Sequence, residues 1–276
     1  MKQMLKRFLY AAIVRGYWRL TGRRVVRAFG HELALHPDTD LPMARKFPLP
    51  RGTSQSTVVL HTDLVQLHAI CRALESMSTP PTVVEVGAYQ GFYATLLGKF
   101  IQRLGGRLIT IEPNPGNYAI LADNIRRNGL TDTVIAEQCA IAPTAGVYSL
   151  SVDPTEPSQA TLATAPSTGR AQVRAEPLAR VLERHSIRHV DVLIVDVEGY
   201  ELPVLRSFPW ESVGVGQIFC EFHPYNWASA GYAASDMELF FREHGLACLD
   251  MYFREYPPFP ASPQYIGPCL LFPAKS

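Results

Sequence analysis

The sequence predicts an α/β protein built on a mostly parallel sheet with helices on both faces. Strand-like apolar runs alternate with helical segments from about residue 82 onward. These runs are continuously apolar, which is typical of strands that are covered on both faces. The chain has 276 residues, of which 47% are hydrophobic and 18% are charged. It can therefore bury a sizeable core, and it lacks the composition of a disordered protein.

We expect two parts along the chain: an N-terminal extension over residues 1–78 and a main domain over residues 79–276. Eight Lys or Arg and no acid occur between residues 1 and 30, and the first apolar residues recur at helical spacing. This pattern favours a basic amphipathic helix packed on the main domain, and leaves open contact with an anionic membrane surface or a homodimer contact. A strand or hairpin is expected over 25–36, and a helix over 61–77.

The sequence of the main domain predicts strands and helices in alternation. The expected strands are 83–86, 107–112, 134–141, 191–197, 217–222, 247–252 and 269–272. The expected helices are 91–103, one ending near 128, one beginning near 200, and 236–244. The segment 153–169 is rich in Pro, Ser, Thr, Ala and Gly, so we expect a long loop there, either a lid over the substrate or a surface excursion.

Charge and cysteine usage narrow the classes of function. The net charge of +1 gives no global reason to expect nucleic-acid binding. The five cysteines are widely spaced and form no Cys-x-x-Cys pair, which predicts buried reduced thiols rather than disulfides or a zinc site. No stretch is long enough to span a bilayer. We therefore expect a cytoplasmic protein, which would lie at the inner face of the membrane if the basic helix binds lipid.

A glycine turn follows the first strand, in the segment 83–93 with the sequence Val-Val-Glu-Val-Gly-Ala-Tyr-Gln-Gly-Phe-Tyr. Gly87 and Gly91 can let the backbone approach a ligand closely. A dinucleotide site would have glycine in place of Glu85 and Gln90. An acid there repels a pyrophosphate but suits a cationic adenosine ligand without phosphate. S-adenosylmethionine is such a ligand, so the turn favours methyl transfer.

The ends of the second and third strands also carry candidate ligand contacts, because open α/β sheets bind ligands at the carboxyl ends of their strands. Glu112 lies 25 residues after Gly87, near the interval at which a ribose-binding acid follows a glycine-rich turn. Glu112 could instead be an ordinary acid at a helix start. The third strand ends in Cys139, Ala140 and Ile141, which are small or apolar and can line an adenine ring.

The fourth strand ends at Asp196 and Glu198, and the fifth at Glu221 and His223. Asp196 is either functional or the cap of a following helix. His223 precedes a proline, so its backbone is held extended. A lone histidine is often structural, but Glu221 beside it makes a catalytic role equally reasonable.

Four segments, in order, resemble the FkbM-type methyltransferase family within the class I S-adenosylmethionine-dependent fold. They are Val84–Gly91, Ile111–Pro115, Val195–Glu201 and Cys220–Pro224. The resemblance implies a Rossmann-like seven-stranded sheet, S-adenosylmethionine as cofactor with S-adenosylhomocysteine as product, and O-methylation of a glycan or polyketide-like small molecule. The expected cofactor-binding residues are Glu85, Gly87, Ala88, Tyr89, Gly91, Glu112, Pro113, Asn114, Ala140 and Asp196.

Methylation of a hydroxyl requires an acceptor oxygen held in line with the activated methyl group, and a base for its proton. We expect His223 to be this base, with Asp196 or Glu221 orienting the base or the substrate. No metal is expected. The alternative is a divalent metal, held by Asp196, Glu198 and His223, that orders two sugar hydroxyls.

Two rival functions stay open. A nucleic-acid or protein methyltransferase would rely on the basic N-terminus, but the chain has no Asn-Pro-Pro-Tyr-like motif, and no nucleic-acid partner is expected. A non-catalytic scaffold could keep the fold and the cofactor site without turnover.

Overall fold

The computed structural model describes residues 24–28, 31–39, 62–152, 160–163, 171–250, 254–260 and 266–274. The basic helix expected at the N-terminus lies outside the described residues, so its membrane and dimer contacts stay predictions. The expected hairpin is confirmed: β1 (Arg24–Ala28) and β2 (His31–Leu35) pair in antiparallel fashion. The expected helix over 61–77 is α1 (Thr62–Glu75).

The main domain alternates strands and helices as predicted. Its first half contains β3 (Thr82–Val86), α2 (Phe92–Arg103), β4 (Arg107–Ile111), α3 (Pro115–Arg127), β5 (Val134–Glu137), β6 (Ala140–Ile141), β7 (Gly146–Val152), β8 (Ala160–Ala163) and β9 (Ala171–Glu176). The second half contains α4 (Leu178–Arg184), β10 (His189–Val195), α5 (Glu201–Arg206), β11 (Gly214–Phe222), α6 (Pro224–Trp227), α7 (Ala234–Glu243), β12 (Leu246–Asp250), β13 (Glu255–Tyr256) and β14 (Gly267–Pro273).

The strand order of the large sheet determines where the ligand-binding crevice of the fold lies. Within the described residues this sheet has eight strands in the order β13-β12-β14-β11-β10-β3-β4-β5, one more than the seven expected. The pairs β5–β4, β4–β3, β3–β10 and β10–β11 are parallel, and β14 is antiparallel to both of its neighbours. The order reverses between β3 and β10, and open α/β sheets bind ligands at such a switch point. The fold is the Rossmann-like architecture that the sequence predicts.

A second, four-stranded sheet with the order β6-β9-β7-β8 corrects two expectations. The strand predicted over 134–141 is two strands, because β5 pairs with β4 in the large sheet whereas β6 pairs with β9 in the small one. The loop predicted over 153–169 contains β8, which pairs with β7. The rest of that loop lies outside the described residues. The small sheet places Leu150 and Leu162 beside the carboxyl ends of the large sheet.

Two apolar clusters pack on the two faces of the large sheet, as expected for buried parallel strands. Helix α1 belongs to one of them, since Leu67, Ile70 and Leu74 are buried with Val83 and Phe219. The end of the predicted extension is therefore part of the main core. All five cysteines are free and buried, as predicted. In the described part of the chain, no helix combines the length and apolarity needed to cross a bilayer.

Candidate functional site

A cleft of about 200 Å³ opens at the carboxyl ends of β3, β4, β10 and β11. Eight of the residues expected to bind cofactor lie on its wall: Glu85, Gly87, Ala88, Tyr89, Glu112, Pro113, Ala140 and Asp196. Glu198 and Glu221 line it as well. Helix α1 closes one side with Gln66, Leu67 and Ile70, and the small sheet another with Leu150 and Leu162. The predicted strand ends thus meet at one cavity, the default location for a ligand.

Gly87 and Gly91 serve close contacts within the protein. A Cβ added at Gly87 would lie 1.7 Å from the backbone oxygen of Asp196, and one at Gly91 would lie 2.3 Å from a methyl carbon of Leu121. Both have positive φ, 96° and 75°, which favours glycine. Gly87 lines the cleft, whereas Gly91 packs at the start of α2 and is not among the lining residues, so contact of Gly91 with the cofactor stays a prediction.

Asn114 has a structural role at the start of α3, and its expected contact with the cofactor stays a prediction. Its side-chain oxygen accepts hydrogen bonds from the backbone N–H groups of Gly116 at 2.8 Å and Asn117 at 3.3 Å, so it caps α3. It does not line the cleft. The helix-start role considered for Glu112 thus belongs to Asn114.

Glu112 forms hydrogen bonds to the backbone of two loops at the cleft. One carboxylate oxygen accepts from the backbone N–H of Tyr89 and the other from that of Asn114, both at 2.8 Å. Burial raises the pKa of Glu112 to about 7, although these hydrogen bonds oppose the rise. Each oxygen keeps a lone pair that can accept a hydrogen bond from a ribose hydroxyl.

Glu85 is a second buried acid beside Glu112. It is 4% exposed and accepts a hydrogen bond of 2.6 Å from the Thr110 hydroxyl. Burial raises its pKa to about 7. Two acids that burial makes costly to ionise are suited to a cationic, hydroxyl-bearing ligand, because such a ligand stabilises their charged forms.

His223 does not itself line the cleft but is buried beside it among four carboxylates, three of which belong to the cleft wall. Its side chain is 3% exposed, and its Nδ1 lies 2.8 Å from Oε1 of Glu201. Its Nε2 lies 3.5 Å from Glu198, 3.6 Å from Glu221 and 4.0 Å from Asp196. The three expected catalytic residues, His223, Asp196 and Glu221, therefore share one cluster. Their catalytic roles stay predictions.

Glu201 is the residue of this cluster to which the sequence assigned no role. It is fully buried, and besides His223 it accepts hydrogen bonds from Gly199 N at 2.8 Å, Trp227 Nε1 at 2.8 Å and Tyr232 Oη at 3.0 Å. The helix dipole favours an acid in the first turn of any helix, so a glutamate at this place in the sequence gives no sign of a functional site. The one available signal is its place at the end of the segment Val195–Glu201.

The carboxylates determine the charge of His223. Burial alone would lower the pKa of His223, but the hydrogen bond to Glu201 and the nearby carboxylates of Glu221 and Asp196 raise it well above its usual value. Burial raises the pKa of Glu198, with the charge of His223 opposing. The surrounding carboxylates therefore favour the charged form of the ring.

Two questions about Asp196 were left open by the sequence, namely whether it caps a helix and whether it binds a metal. Helix α5 begins at Glu201 with Tyr200 as its cap, so Asp196 caps no helix. One donor atom each of Asp196, Glu221 and His223 lie within 4.8 Å of one another, a set whose chemistry suits a divalent cation. This set contains Glu221 in place of the Glu198 of the sequence-based alternative, and metal binding stays a prediction.

The fold and the strand-end cleft define a Rossmann-like α/β protein with a ligand cleft at the switch point of its sheet. The family follows from comparison with known sequences: the model of the methyltransferase FkbM domain matches residues 85–246, more than half of the chain. The protein therefore belongs to the FkbM methyltransferase domain family. The matched range contains the four segments that carry the resemblance, apart from Val84 at its edge.

Individual relatives are distant. Methyltransferase sdnD of Sordaria araneosa is 24% identical over 176 residues, which cover 52% of this chain and 67% of that protein. A methyltransferase FkbM from Methylobacillus flagellatus KT is 15% identical with a TM-score of 0.41, over 70% of this chain and 43% of that one. The N-terminal domain of human METTL16 in complex with SAH is 13% identical with a TM-score of 0.42, over 78% and 69%.

Proposed function

We propose that this protein transfers a methyl group from S-adenosylmethionine to a hydroxyl of an uncharged glycan or natural-product molecule. The observation that carries the proposal is the charge of the cleft. Five carboxylates line it, from Glu85, Glu112, Asp196, Glu198 and Glu221, and among its described lining residues there is no Lys or Arg. Carboxylates accept hydrogen bonds from hydroxyls and attract a sulfonium, whereas they repel phosphates and carboxylates.

The same charge argues against a nucleic-acid acceptor. Proteins that bind nucleic acids place Lys and Arg along the path of the phosphates. The described wall of this cleft has the opposite sign. A protein acceptor is less strongly opposed, because carboxylates also accept hydrogen bonds from amines, so amine methylation is the second candidate for the assay.

In the proposed reaction each group has one role. S-adenosylmethionine, when bound, supplies a methyl group that its sulfonium already activates. The groups suited to hold it are the Gly87 turn and Glu112, which can accept from ribose hydroxyls. Asp196 and Glu221 accept hydrogen bonds from acceptor hydroxyls, and Nε2 of His223, once neutral, takes the proton of the reacting one.

The first test separates cofactor binding from the choice of acceptor. We expect calorimetric titration to show micromolar binding of S-adenosylhomocysteine and none of NAD. Transfer from radiolabelled S-adenosylmethionine is then measured with neutral glycosides, polyketide alcohols, amine-bearing peptides and RNA oligonucleotides. Fragmentation mass spectrometry of the product locates the methyl group.

The outcomes of this test are distinct. Label on an alcohol oxygen supports the proposal, and label on a peptide amine or on RNA refutes it in favour of a rival acceptor. Binding of neither ligand would return the scaffold hypothesis to first place.

A further inference from the structure

We infer that Glu201 is a positioning residue that turns the His223 ring so that Nε2 points toward the cleft and can receive the proton of the acceptor hydroxyl. This inference rests on the proposed function. Nδ1 of His223 lies 2.8 Å from Oε1 of Glu201, and both side chains are almost completely buried. An acid held against one ring nitrogen determines which nitrogen faces the substrate.

The carboxylate of Glu201 is itself held at both oxygens. Oε1 accepts from Gly199 N at 2.8 Å as well as from His223. Oε2 accepts from Trp227 Nε1 at 2.8 Å and from the Tyr232 hydroxyl at 3.0 Å. With both ends occupied, the carboxylate cannot rotate without losing hydrogen bonds in a buried site.

These partners also assign the tautomer of His223. An ionised carboxylate only accepts hydrogen bonds, so the ring nitrogen that faces Glu201 carries a proton. In the neutral ring, Nδ1 is then N–H and Nε2 holds the free lone pair. The sequence places Trp227 and Tyr232 after β11, on the same segment as His223, so folding of that segment brings the ring and its two supporting donors to Glu201 together.

The other groups facing the ring act on Nε2. They are Asp196, Glu198 and Glu221 at 3.5–4.0 Å, and Tyr225, whose ring packs edge-on at a centroid distance of 5.8 Å. The three acids favour a proton on Nε2, so the fraction of base-competent ring grows with pH. In the step itself, the hydroxyl proton moves to Nε2 while the new O–C bond forms and the S–C bond breaks, leaving its electron pair on sulfur.

The test is Glu201→Gln, in which an amide group replaces one accepting oxygen. We expect kcat to fall roughly 10²–10⁴-fold with KM changed less than about threefold, because the ring loses its orientation while the acceptor contacts stay. We also expect the rise of kcat/KM with pH to move to lower pH, since one charge that holds the ring protonated is gone. Calorimetric binding of S-adenosylhomocysteine shows that the variant is folded.

Glu176→Gln is the matched control. Glu176 is 6% exposed and accepts two hydrogen bonds of 2.7 Å from Arg184, outside the cleft wall. The same chemical change there should leave kcat and the pH profile unaltered. If the parent protein is active and Glu201→Gln leaves both kcat and the pH profile unchanged, the positioning role of Glu201 is wrong.

A second measurement needs no acceptor. Protein labelled with ¹⁵N in histidine is titrated from neutral to alkaline pH, and the resonance of His223 is assigned by its loss in His223→Asn. We expect the neutral ring to show a proton on Nδ1, and Glu201→Gln to shift the pattern toward the other tautomer. A parent ring protonated on Nε2 alone overturns the inference. The expected pattern in a protein that methylates no alcohol supports the orientation by Glu201 and refutes the proposed function.

Discussion

Replacing Gly87 by alanine tests how the turn after β3 holds the site together. The new Cβ would lie 1.7 Å from the Asp196 carbonyl oxygen, whereas Cβ contacts below 3.0 Å essentially do not occur. The carbonyl must therefore retreat by about 1.3 Å. That movement strains the hydrogen bond of 2.9 Å from Asp196 N to Val86 O, which joins the ends of β10 and β3.

Three costs contribute to the expected loss of stability. The φ of 96° costs an alanine about 1–2 kcal/mol. The strained hydrogen bond contributes about 0.5–1.5 kcal/mol. With residual crowding, we expect the free energy of unfolding to fall by about 2–4 kcal/mol, which lowers Tm by roughly 4–16 °C.

The assay compares Gly87→Ala with Gly105→Ala by thermal unfolding and by calorimetric titration with S-adenosylhomocysteine. Gly105 also has a positive φ, 69°, but a Cβ there meets no atom within 4 Å. The control should lose only about 1 kcal/mol and bind as the parent does. Gly87→Ala should bind at least roughly tenfold more weakly, because the Asp196 strand end moves. Equal behaviour of the two variants would refute the claim that the turn is shaped by contact with Asp196.

Three further predictions concern the buried acids and the histidine. Glu112→Gln should weaken S-adenosylhomocysteine binding by roughly 10–150-fold in calorimetry, because the amide opposes one of two backbone donors, and unchanged affinity would contradict that role. His223→Ala should keep that affinity but lower kcat roughly 10²–10⁴-fold in the acceptor assay, and a loss below about tenfold would shift the base to Asp196. Burial raises the pKa of Glu85 from 4.5 to about 7, so the stability linked to this acid is complete below pH 4.5 and is lost as pH rises through 7. Glu85→Gln should then match the parent near pH 4.5 and exceed its free energy of unfolding at pH 8 by about 1–3 kcal/mol, measured by urea titration without ligand, and a variant less stable at pH 8 would count against it.

The alternation of apolar runs was enough to predict most of the cleft. The carboxyl ends of parallel strands share one edge of the sheet, so Glu85, Glu112, Asp196 and Glu221 were expected to meet there, and all four line the cleft. The prediction needed only the order of strands and their ends, since neither depends on details of packing.

The errors have local physical causes. The apolar residues of 134–141 continue through the point where the chain changes sheet, and hydrophobic pattern does not report which strand a run pairs with. The helix cap that was left open for Asp196 is a separate case, because the sequence favoured a functional role for this residue. Glu198 and Gly199 take positive φ of 51° and 106°, so a tight turn places the start of α5 at Glu201.

The role of Glu201 could not be predicted from the sequence, for a different reason. Its side-chain partners lie 22 to 31 residues further along the chain, at His223, Trp227 and Tyr232. Each of these residue types has an ordinary local explanation, and only the packing of α5 against the segment after β11 brings them together. A polar network between distant segments leaves no periodic signal in the sequence.

The position of β14 has a consequence for how the protein assembles. This strand lies between β11 and β12, and Glu221 pairs with Pro268 across it. The neighbouring strands β3, β4 and β5 are close in sequence and can pair early, but β11 gains its second neighbour only after residues 267–273 have been synthesised. The side of the cleft built by β3, β4 and β5 can thus form first and the side built by β11 last. If the acceptor binds at the end of β11 as proposed, local opening of β14 is expected to remove acceptor turnover while leaving S-adenosylhomocysteine bound.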